Sequence, residues 1–171
     1  MLSPETKTIG LGVVSFKETP HFEITRTIPR ESVSQIEAAV KDFIKTSHSC
    51  PGVDEAGLYN QTLEAIAGST ILNHGGDFWL GTDSNGVCAY ALCRIVKDID
   101  NRLTYWCAQS WMRSDIRGLK WYRFGMDKIR QRAKECFCSH LVIVSSRNAD
   151  AYLRFLGKSW SLYASLLKFD L

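Results

Sequence analysis

Residues 103–144 read LTYWCAQSWMRSDIRGLKWYRFGMDKIRQRAKECFCSHLVIV, and this stretch decides the fold. Leu103 to Trp111 is dense in aromatic residues and reads as a strand. Ser114 and Asp115, whose short side chains can satisfy the free N–H groups of a first helical turn, open a helix predicted to reach about Phe137. Its apolar residues, Leu119, Tyr122, Met126, Ile129, Ala133 and Phe137, recur every three or four positions, the spacing of one helix face. Leu141-Val142-Ile143-Val144 is then a continuous apolar run, as expected of a strand buried on both faces.

Working outward, Phe78–Thr82 and Val87–Val96 read as strands joined at Asp83-Ser84-Asn85-Gly86, because Asn-Gly tolerates the positive φ of a tight turn. Asp98–Asn101 turns the chain into the Leu103 strand, so residues 78–112 are predicted to be an antiparallel meander. Upstream, Phe22–Ile28 alternates like a strand until Pro29. Glu31-Ser32 then opens a helix with Val33, Ile36, Val40, Phe43 and Ile44 on one face. A second helix from about Asp54 carries Leu58, Leu63, Ile66 and Ile71, and ends at Gly75-Gly76. Residues 8–16 read as a short strand, Asn148–Leu156 as a short helix, and Trp160–Phe169 as terminal strands. The order fits one α/β (α+β) domain over residues 1–171, with 1–20 as an N-terminal strand or extension. It fits neither an all-antiparallel sandwich nor a helical bundle.

Composition agrees with a single globular core: 171 residues, 45% hydrophobic and 23% charged. No run approaches the roughly 20 apolar residues of a membrane span. The first residues lack the basic-then-apolar pattern of a secretion signal, so a cytoplasmic location is expected. None of the six cysteines forms a C-x-x-C pair. Cys88, Cys93 and Cys107 sit inside strand-like runs and read as buried thiols acting as small hydrophobes. Cys136, Cys138 and His140 are close in sequence, but no fourth ligand is evident and no metal is expected.

Net charge is only +3, yet Arg113 to Lys134 holds eight basic residues against Asp115 and Asp127. That segment is therefore +6, leaving −3 for the rest. Two readings stand: a solvated helix face, or an anion site where N–H groups and the helix dipole meet at the helix start.

The element order, with two local motifs, resembles the GCN5-related N-acetyltransferases over roughly residues 20–171. Arg117-Gly118-Leu119-Lys120-Trp121-Tyr122 falls where that family has an Arg-Gly-x-Gly-x-Gly loop whose amides hold the pyrophosphate of acyl-coenzyme A. Asn148, Ala151 and Phe155, leading to Trp160, are similar to the family's asparagine-led helix beside the thioester. The resemblance implies a mixed, mostly antiparallel central sheet flanked by about four helices. It also implies acetyl-CoA as cofactor, with Arg117, Gly118, Leu119 and Lys120 at the pyrophosphate and Asn148 at the pantetheine arm.

Several positions depart from the family. Lys120 and Tyr122 replace small residues, and Phe155 stands where a tyrosine often reprotonates the thiolate. Tyr152, one turn earlier, is the candidate substitute. Leu103–Ser110 contains neither acid nor histidine, so a general base would be a water relayed through Thr104 or Gln109. His74 is a further candidate for the cleft; His21, His48 and His140 read as surface residues, and Asp98, Asp100 and Asp115 as turn residues.

Two functions follow. The first is acyl-CoA-dependent transfer of an acetyl or related group to an amine. The second is a catalytically inactive scaffold of the same fold, which also resembles small acetyltransferase-like bacteriophage proteins, some of them virion-associated. In that reading a nucleic acid or acidic protein meets Arg113, Arg123 and Arg130, and tryptophans such as Trp106, Trp111, Trp121 and Trp160 serve as interface anchors or as core. Acyl transfer to a nucleic-acid base would combine the two.

Overall fold

The computed structural model describes residues 20–47, 54–70, 76–97, 101–117 and 119–144. Strands β1 (His21–Ile24), β2 (Gly76–Asp83), β3 (Gly86–Lys97), β4 (Leu103–Met112) and β5 (His140–Ile143) form one sheet in that spatial order. Pairing is antiparallel from β1 to β4 and parallel between β4 and β5. The parallel pair requires a crossover, which helix α3 (Leu119–Glu135) supplies. Helices α1 (Val33–Ser47) and α2 (Glu55–Thr70) cover the other face. The proposed strand at residues 8–16 and the elements after residue 144 lie outside the described residues.

Alternation along the strands separates two cores. Phe78, Leu80, Val87, Tyr90 and Leu92 pack under α1 and α2 with Ile36, Val40, Ile44 and Ile66. Trp79, Ala89, Ala91, Cys93, Tyr105 and Cys107 pack under α3 with Met126, Ile129 and Ala133. Because both faces are covered, β2 and β3 are apolar nearly throughout. Gly81 is required by close approach: a Cβ there would lie 2.9 Å from that of Ala89. Gly86 closes the predicted hairpin with φ +95°, and the Asp83 carboxylate accepts the Asn85 N–H at 2.8 Å.

The sequence reading needs correction at helix ends. Val33 is exposed, because it opens α1 before the buried stripe begins at Ile36. Helix α3 starts at Leu119 and not at Ser114-Asp115. The Arg113 guanidinium takes the Asp115 carboxylate at 2.7 Å, and residues 113–117 form turns instead. Phe137 is off the apolar stripe, 88% exposed, with left-handed φ of 56°. It ends the helix in a Schellman arrangement, with Cys138 N–H donating to Ala133 C=O and Phe137 N–H to Lys134 C=O. Since the left-handed region costs an L side chain about 1–2 kcal/mol, Phe137→Gly is expected to raise stability by roughly 1 kcal/mol, read as a higher urea midpoint. Leu141, Val142 and Ile143 are half-buried in β5, not enclosed on both faces, and Val144 lies beyond the strand and is exposed.

Candidate functional site

Strand β4 changes partners along its length. Its first part pairs with β5 from Thr104↔His140 to Cys107↔Ile143, and Val144 N–H still donates to Cys107 C=O at 3.0 Å. Beyond that point β4 runs on to Met112 with β3 alone as strand partner among the described residues. The separation coincides with a β-bulge: Cys93 faces Cys107 and Leu92 faces Gln109, leaving Ala108 as the extra residue.

The bulge reverses which face the following side chains take. Tyr105 and Cys107 lie under α3, and strict alternation would send Gln109 and Trp111 there too. Instead they face α1 and α2. Gln109 Nε2 donates to the Thr62 hydroxyl at 2.9 Å, and the Tyr90 hydroxyl lies 3.5 Å from Gln109 Oε1. Trp111 stacks on Tyr90 with centroids 6.1 Å apart and donates its indole N–H to Asp42 at 2.7 Å. Burial, with a smaller contribution from the Asp42 charge, pushes the Tyr90 phenol far up, so it stays protonated. Asp42 and Thr62 are missed by sequence reasoning: each reads as an ordinary polar residue on a helix, with nothing local to mark it.

Arg117 stands at the mouth of this opening, Nε donating to Met112 C=O at 2.7 Å and Nη2 to Asp42 at 3.3 Å. Lys120, in the first turn of α3, is exposed with Nζ 4.9 Å over the Trp121 ring. Tyr122 packs half-buried against the α3-side core. Of the other candidates, Gln109 lies beyond the bulge, whereas Thr104 is buried in the part of β4 still paired to β5. Leu119 opens α3. Gly118, His74, Asn148 and Tyr152 lie outside the described residues.

The basic residues differ in use. Arg113 is bound to Asp83 at 2.6 Å and to Asp115, and ties the β2–β3 hairpin to the end of β4. Arg123 and Arg130 are exposed on α3, Arg130 beside Asp127 at 3.2 Å. His21 and His140 are exposed, as expected. Cys88, Cys93 and Cys107 are buried free thiols. Burial and then the Asp83 charge push the Cys88 thiol up to about 11, which keeps it unreactive. No helix among the described residues is long and apolar enough to cross a membrane.

A mixed sheet whose parallel strands β4 and β5 part at a bulge, with a helix starting at the opening, is the fold of the GCN5-related acetyltransferases. Solved structures of that fold superpose on the chain. They include a Pyrococcus furiosus protein assigned as an acetyl transferase (16% identity, 88% of this chain and 100% of that one, TM-score 0.64). A Clostridium acetobutylicum protein assigned as an acetyltransferase and solved with acetyl-CoA is 14% identical over 86% of this chain and 96% of its own, with TM-score 0.59. A transcriptional regulator from Bacillus halodurans matches as well (14%, 88% and 100%, TM-score 0.62). No protein-family profile matches the sequence, and no curated protein is significantly similar to it. Identities this low establish the fold and leave the activity to the site.

Proposed function

We propose that the chain transfers an acyl group from acyl-coenzyme A to an amine. The observation that carries this reading is the parting of β4 from β5 at the Ala108 bulge, with the start of α3 at the open end of β4. An extended amide-bearing chain such as pantetheine would find backbone groups of residues 109–112 on the side that β5 has left. Pyrophosphate would meet the free N–H groups at the start of α3 and the Lys120 ammonium. The inward packing of Tyr122 is consistent with that fit. The cofactor would supply an activated thioester.

The chain's own residues then orient the acceptor. Gln109, held between Thr62 and Tyr90, and the Asp42 carboxylate beside Trp111 form a polar wall on the α1–α2 side of the opening. A neutral amine placed there attacks directly, and the gain comes from orientation more than from strong acid–base assistance. Gln109 would hold a water that accepts the amine proton, while the thioester C–S bond breaks and coenzyme A leaves as its thiolate.

Calorimetric titration with acetyl-CoA tests this. Micromolar binding is expected, weakened about tenfold or more by Lys120→Glu, since one favourable charge contact near phosphate becomes a repulsive one. No heat from the folded wild-type protein would overturn the reading. One observation favours the scaffold alternative: Arg117 is already engaged by Asp42 and Met112. In that case the exposed Arg123 and Arg130 would serve a nucleic acid or acidic protein, and binding would be salt-sensitive.

A further inference from the structure

A second polar cleft lies away from this opening. Asp77, at the start of β2, is almost fully buried on the α3 face. Its carboxylate receives Arg26 Nη2 at 2.6 Å, the Tyr105 hydroxyl at 2.6 Å and Arg132 Nε at 3.0 Å. Tyr105 in turn accepts the Trp79 indole N–H at 3.2 Å. The space outside this network is a half-open cleft of about 160 Å³, walled by Arg26, Asp77, Ile95, Tyr105 and Arg132, with Gly76 and Arg94 completing it. That is room for roughly five waters, or for one oxyanion with part of its hydration, at about 30 Å³ per water.

The charges do not balance. Three guanidinium groups, of Arg26, Arg94 and Arg132, line the cleft against the buried Asp77 carboxylate and the exposed Glu135, so the cleft carries an excess positive charge. Arg26 spends Nη1 on the Ser69 and Gly76 carbonyls and Nη2 on Asp77. Arg132 gives Nε to Asp77, and among the described residues its terminal nitrogens meet only the exposed Glu135 carboxylate, 4.0 Å from Nη1. Asp77 fixes both forks rigidly at the wall, which lowers the entropy lost when an anion docks on their outer edges. Ile95, 40% exposed, gives the mouth an apolar side.

We propose that this cleft binds an oxyanion, the phosphate or carboxylate group of a small ligand. The site is distinct from the start of α3. Arg132 is 13 residues along that helix from Leu119, or about 20 Å at 1.5 Å per residue. It does not depend on the acyltransferase reading.

The Trp79 indole N–H is a built-in reporter, and that of Trp111 marks the other site. In ¹⁵N-resolved NMR at constant ionic strength, inorganic phosphate and acetate are titrated separately against chloride. A saturable shift of the Trp79 signal with a dissociation constant of millimolar order is expected, and the stronger of the two anions identifies the group. Ile95→Glu, which adds a carboxylate at the mouth without touching the Asp77 network, should weaken binding at least about tenfold. Ile95→Gln should retain it, and an unchanged Trp111 signal reports that each variant is folded. The proposal fails if neither anion gives a saturable Trp79 shift or if Ile95→Glu binds like wild type. It also fails if Lys120→Glu abolishes the response, since the anion would then sit at the helix start.

Discussion

Asp77→Ala is expected to destabilise the fold by about 3 kcal/mol, lowering the melting temperature by roughly 6–12 °C for a chain of this size. The substitution removes one buried carboxylate that three donors share, and leaves two arginines and a buried tyrosine without their acceptor. Both arginines can turn partly to water, which keeps the estimate at the lower end for a broken buried pair. The pH dependence separates charge from packing. Burial alone would raise the Asp77 pKa, but the hydrogen bonds from Arg132 and Tyr105 and the charges of Arg132 and Arg26 outweigh it, and the pKa falls below its ordinary value. A carboxylate with a depressed folded-state pKa stabilises above the unfolded-state value of about 3.9, and that contribution is lost as pH falls through the folded pKa. The gap in urea midpoint between wild type and Asp77→Asn should therefore be constant from about pH 7 to pH 5 and narrow below about pH 4. A gap independent of pH would show that the carboxylate acts by shape and not by charge.

Deleting Ala108 should close the opening while sparing the contacts beside it. Without the extra residue Gln109 follows Cys107 directly, so period-two alternation still points Gln109 and Trp111 towards α1 and α2, and Leu92 still faces Gln109. The stack of Trp111 on Tyr90, its bond to Asp42 and the bond of Gln109 to Thr62 are therefore expected to survive. What is lost is the bend that a bulge puts into its strand, and with it the parting of β4 from β5. Acetyl-CoA binding should weaken at least about tenfold if the proposed function holds, while stability falls by only about 1 kcal/mol. Thermal unfolding and titration on the same preparation read both effects. A deletion variant that binds acetyl-CoA like wild type would mean that the bulge does not organise the site.

Much of the architecture is legible because it follows from local periodicity. The alternation of Phe78–Thr82 and Val87–Val96 around Asn85-Gly86, and the spacing of Ile36, Val40 and Ile44, reflect constraints that neighbouring residues impose on one another. The helix ends were less legible. Ser114-Asp115 has the chemistry of a cap, but Arg113 competes for the carboxylate, and Phe137 completes the three-and-four pattern while standing in a backbone turn that exposes it.

What the sequence determined by itself is the set of elements and their order, because strand and helix periods are short-range properties. Tertiary structure alone decided the site. The Ala108 bulge is one unpaired residue in an apolar run and carries no signature in the chain. Yet it sets which face Gln109 and Trp111 take and where β4 leaves β5. Asp77, Arg26 and Arg132 lie far apart in sequence, and only the stacking of β2, β4 and α3 makes a buried carboxylate there tolerable, because a charge removed from water must find its partners at the same place.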